Sequence, residues 1–120
     1  MRALIVALML STPACSMNPQ YSAPWTVRAV GKAYEARDAC LGKHASLHVE
    51  SGLDVQSVGR AVSANCEAET SALITSSNPH NDTAVTAAIR QDSDFRAKGY
   101  VLKARGWNHV RQEIDRDRKD

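Results

Sequence analysis

The chain has 120 residues, with 15 Lys and Arg against 13 Asp and Glu, for a net charge of +2 with histidine neutral. That length holds one small domain, and the near-neutral balance excludes the strongly basic surface of a nucleic-acid binder. From Cys15 onward, 18 of 106 residues are Leu, Ile, Val or Phe while 15 are Ala, a core light enough to need a covalent staple.

Met1-Arg2, the apolar run Ala3 to Leu10 and Ser11-Thr12-Pro13-Ala14-Cys15 have the charged start, short hydrophobic centre and small-residue end of a secretory signal. The run is too short to span a bilayer. At Cys15 the pattern resembles a bacterial lipoprotein signal, although Thr12 stands where such signals usually carry Leu. The resemblance covers about the first sixteen residues, so it implies an address and no activity. It implies lipidation of Cys15, and Ser16 after it resembles the outer-membrane sorting type. Cleavage after Ser16 would instead remove Cys15. Either route leaves Cys40 and Cys66 as the one possible disulfide of an exported protein. The expected segments are a signal peptide at 1–14, or 1–16 by the second route, a tether at 15–24, a helical domain at 25–114 and a frayed charged tail at 115–120.

Helix 1 is expected from the vicinity of Pro24 to Thr26 as far as Glu50, and helix 2 from Asp54 to Ser76. Val30, Tyr34 and Leu41 in the first and Val55, Val58, Val62, Cys66 and Leu73 in the second recur at helical spacing. The turn Glu50-Ser51-Gly52-Leu53-Asp54 predicts Gly52 in the left-handed position, Asp54 as an N-cap and Leu53 stapled onto Val58. In an antiparallel hairpin centred on residue 53, Cys40 and Cys66 come level, Arg37 faces Glu69 and Ala33 faces Leu73. The close approach that a disulfide needs would be allowed by Ala33, Ala36, Gly59 and Ala61.

A loop over residues 76–82 leads to helix 3, with Asn81-Asp82-Thr83 supplying its cap. Val85, Ala88 and Ile89 share one face before Asp92-Ser93-Asp94 interrupts it, which predicts a bend. A second stripe, Tyr100, Ala104, Trp107 and Ile114, follows, with Gly106 a candidate stop. The expected fold class is all-α, a disulfide-stapled antiparallel helical hairpin plus a third helix in a small three-helix bundle.

The motifs of familiar enzymes are missing from the sequence: there is no Gly-x-Ser-x-Gly elbow, His-Glu-x-x-His, Cys-x-x-Cys or phosphate loop. We therefore expect a non-enzymatic module without a cofactor. Its partner would be an envelope protein or the membrane surface rather than nucleic acid, with Tyr100, Trp107 and Ile114 as the candidate binding stripe wherever the hairpin leaves them uncovered. The alternative is a periplasmic metal-binding protein, because His44 and His48 stand four apart on one face of helix 1.

Overall fold

Four helices, α1 (Pro24–Ser46), α2 (Val55–Asn65), α3 (Glu67–Ser77) and α4 (Thr83–Asp117), account for nearly all of residues 23–118, which the computed structural model describes without the side chains of 108, 110, 111, 113, 114 and 117. The signal segment, Cys15 and the tether before Ala23 lie outside the described residues. An all-helical chain carrying a Cys40–Cys66 disulfide is what the sequence predicts. Four helices in place of three is a correction.

The extra boundary falls at Cys66, where the expected second helix divides. Its backbone leaves the helical region, at φ −108° and ψ 23°, and its N–H reaches back only three residues to the Ser63 carbonyl. Packed helix axes stand about 8–10 Å apart. Cys40 and Cys66 have Cα atoms at 5.9 Å, and this closer approach coincides with the break at Cys66. Three of the four small residues expected to permit that approach have other places. Ala36 and Ala61 are exposed, and Gly59 is buried against α4, where an added Cβ would lie 2.6 Å from Lys98 Cγ and 3.3 Å from the Lys98 nitrogen.

Pro24 occupies the first turn of α1, where its missing N–H costs nothing. The helix stops at Ser46, four residues before the expected end, because the N–H groups of Leu47 and His48 bond the carbonyls of His44 and Ala45 in tight three-residue turns. Asp54 caps α2 as predicted, accepting from the Ser57 N–H at 2.9 Å and the Ser57 hydroxyl at 2.7 Å. Gly52 is not left-handed, and Leu53 is 62% exposed rather than stapled on Val58. The reason is Arg105, whose Nη2 donates to the carbonyls of Ser51 and Leu53 at 3.2 and 2.7 Å and latches the loop backbone onto α4.

At the other connection Asp82 caps α4, its carboxylate accepting from the N–H groups of Ala84 and Val85. The buried Asn78 side chain fixes this loop, donating to the Asp82 carbonyl and accepting from the Asp82 N–H. Asn81 takes the left-handed conformation at φ 53°, which asparagine tolerates better than most residues.

Asp92-Ser93-Asp94 does not interrupt the helix: α4 runs from Thr83 through Asp117, past Gly99 and Gly106. Its buried stripe is Ile89, Ser93, Ala97 and Val101, facing the α1 stripe Arg37, Leu41 and Ala45. Contacts between α1 and α4 keep a nearly constant offset (Arg37 to Ser93, Asp38 to Arg96, Gly42 to Tyr100), so these two helices run the same way. Contacts of α2 and the loop leading into it with α4 descend along one as they ascend the other (Gly59 to Lys98, Leu53 to Arg105), so α2 and α4 are antiparallel. Leu41, Ala45, Val58, Val62, Cys66, Ala97 and Val101 form the apolar core, with Cys40, Val55 and Tyr100 packed against it.

Candidate functional site

Three features of the molecule carry chemistry. The first is the disulfide. Cys66, fully buried, enters from the break between α2 and α3, while Cys40, half-buried, enters from the middle of α1. His44 stands one turn beyond Cys40, and four-residue spacing puts both side chains on one face of the helix. The two sulfurs and an imidazole nitrogen of His44 all lie within 4.8 Å of one another. His48, the expected partner of His44, is outside this group and half-buried farther along the chain. The Cys40 to His44 spacing was readable in the sequence; the arrival of Cys66 beside both depends on the helix break, which was not.

The second feature is an ionic ring. Arg37 has no solvent exposure, and its Nη1 donates to Asp92 Oδ2 at 2.9 Å and to the Ser93 hydroxyl at 3.3 Å. Its Nε donates to Asp38 Oδ1 at 3.1 Å, and Nη2 stands 3.0 Å from that oxygen as an ion pair. Arg96 closes the ring, donating through Nε to Asp92 at 2.9 Å and through Nη1 to Asp38 at 3.1 Å. The Asp92 hydrogen bond, with the charge of Asp38 behind it, holds the Arg96 guanidinium above its ordinary pKa. Tyr34 lies beneath, its ring centroid 5.0 Å from Arg37 Cζ, and Thr70 donates to the Ser93 hydroxyl at 3.3 Å. Two cations and two anions thus neutralise one another. Arg37 meets none of this through Glu69, the residue expected to face it; the divided helix turns Thr70 inward in its place.

The third feature is the outer face of α4. Tyr100 is half-buried and packs on the core, its ring 3.5 Å from where a Cβ on Gly42 would stand. Trp107, on the same helical face two turns later, is 64% exposed. Arg105 already meets the loop after α1, so the helices that cover Tyr100 end before they reach Trp107. Ala104 is half-buried, and the side chain of Ile114 lies outside the described residues. Phe95 and Leu102, seven residues apart and well round the helix from Tyr100 and Trp107, are 74% and 58% exposed. Phe95, Arg96, Gly99, Tyr100 and Lys103 line a shallow open hollow there.

No protein-family model, curated protein or solved structure matches the chain. Among the described residues no helix is long and apolar enough to cross a membrane.

Proposed function

We propose that this is an exported, non-enzymatic binding module of the bacterial cell envelope, tethered by lipid at Cys15 and engaging an envelope protein or the membrane surface through α4. Its framework in this proposal is a disulfide-stapled antiparallel hairpin, α1 against the broken column of α2 and α3, with α4 as the third member of a small bundle. The observation that carries the binding role is Trp107, a large aromatic 64% exposed beyond the end of the hairpin, with Phe95 and Leu102 exposed on the same helix. The disulfide supports an oxidising location. The ring of Arg37, Asp38, Asp92 and Arg96 supports a structural role for the polar cluster, since its charges are spent on one another.

The test has two parts. Intact mass of the protein recovered from membranes should show a lipid-modified chain beginning at Cys15; an unmodified chain beginning near Met17 would remove the tether. A photo-crosslinker at position 103, one turn before Trp107 and exposed, should yield a discrete adduct with an envelope component, lost when Trp107→Ala is introduced in the same chain. Unchanged adducts in that variant would remove Trp107 from the binding surface.

A further inference from the structure

We propose that Cys40, Cys66 and His44 form a redox-gated site for a soft d10 cation, zinc(II) or copper(I), masked while the disulfide is closed and opened by a dithiol reductant. This goes beyond the binding module and does not depend on it. It also differs from the pairing of His44 with His48, because the ligands come from two elements of the fold and two of the three are sulfur.

The geometry supplies the donors. Cys40 and His44 present a sulfur and a nitrogen from one face of α1, and Cys66 presents the second sulfur from the break facing them, all three within 4.8 Å of one another. A cation bound by two thiolates at about 2.3 Å with near-tetrahedral angles holds the sulfurs roughly 3.8 Å apart. Cα atoms at 5.9 Å allow that separation through side-chain rotation, without moving the helices. The donor set selects the metal class: thiolates with imidazole favour zinc(II) and copper(I) over magnesium or calcium, which take oxygen ligands. Three protein donors suit trigonal copper(I) as they stand and leave a fourth position for water on zinc(II).

The gate follows from burial. Cys66 is sealed in the core and Cys40 is half-buried, so an incoming thiolate reaches the Cys40 sulfur. Attack there forms a mixed disulfide with Cys40 and releases Cys66 as the thiolate leaving group. The reductant's second thiol then displaces Cys40, the reductant leaves as its own disulfide, and its two protons pass to the two cysteines. Two electrons have entered the S–S bond. Metal binding expels the same two protons to solvent, so affinity rises with pH.

The purified protein, reduced and desalted without oxygen, would be titrated with cobalt(II) as the spectroscopic probe and then with zinc(II). The expected result is thiolate-to-metal charge-transfer absorption with tetrahedral ligand-field bands, saturating at one equivalent and bleached by one equivalent of zinc(II). The oxidised protein should show neither. His44→Ala should weaken binding about tenfold or more, by analogy with the loss of groups that support a metal site, whereas His48→Ala should leave it unchanged. Helical circular dichroism of each reduced sample is recorded in parallel. If reduction melts the fold and metal restores it, the site stands, since binding energy is then folding energy. Absence of thiolate bands in the reduced protein, folded or not, would overturn the proposal, as would equal affinity in His44→Ala or a larger loss in His48→Ala.

Discussion

Two neighbouring turns of α1 solve the same burial problem in opposite ways. Leu41 and Arg37 lie four residues apart on one face, both fully buried, both opposite α4. Around Leu41 the facing side chains are apolar, Val62, Ala97 and Val101 among them. Around Arg37 they are Asp92, Ser93 and Thr70. The apolar turn is held by area removed from water, a term that tolerates imprecise partners. The polar turn is held only if each group finds its partner, because an unpaired buried cation is expensive. A core short of large hydrophobics can thus be completed by a charge-balanced ring. Cys40 lies in sequence between the two turns.

Substitutions can break or sharpen this contrast. The largest effect is expected from Leu41→Ala, about 3 kcal/mol lost in denaturant unfolding, from transfer and cavity terms together. Arg37→Ala should cost less, about 2 kcal/mol, below the range for a fully buried pair because Asp38 and Asp92 reach solvent and keep Arg96. An Arg37→Ala loss larger than that of Leu41→Ala would mean that the polar turn, not the apolar one, dominates. Gly59→Ala probes the apolar half from α2. Its Cβ would press on Lys98, and a loss of about 1 kcal/mol from overpacking is expected in the same assay.

Two carboxyls outside both turns respond to acid. Hydrogen bonds from the Ser57 hydroxyl and N–H hold the Asp54 carboxyl below its usual range, and the hydrogen bond from Arg90 does the same for Glu67. Both groups bind protons more weakly folded than unfolded. Their contribution is therefore complete above the unfolded carboxylate range near about pH 4 and fades as pH falls through the depressed folded values. Thermal midpoints should accordingly drop on acidification below that range, and Asp54→Asn should flatten part of the drop. Trp107→Ala marks the small end. Its effect on stability should stay within about 0.5 kcal/mol, since the ring is largely in solvent; a larger loss would place it in the core.

Much of the apolar half was legible in the sequence, because Leu41, Val58, Val62 and Cys66 recur at helical spacing and because residue arithmetic brought Cys40 level with Cys66. The caps at Asp54 and Asp82 were legible for the same reason, being local. The polar half was not. Asp92-Ser93-Asp94 looks like an interrupted stripe, and only the fold shows that the interruption is the counterpart of a buried arginine on a helix 55 residues earlier. Arg105 hid among surface cations until the loop of Ser51 and Leu53 was seen to fall beneath it. The proposed cation site was not legible: the spacing read from the sequence joined His44 to His48, which lies outside it, and the break that brings Cys66 beside His44 carries no local signal.

The most direct test of the central claim, that a light core here depends on one covalent tie, is equilibrium unfolding by urea of the oxidised and the reduced protein in metal-free buffer. Reduction should remove about 3.5 kcal/mol, the loop-entropy value for a closure of this length, and with it most of the stability of so small a domain. Superimposable unfolding curves would contradict it.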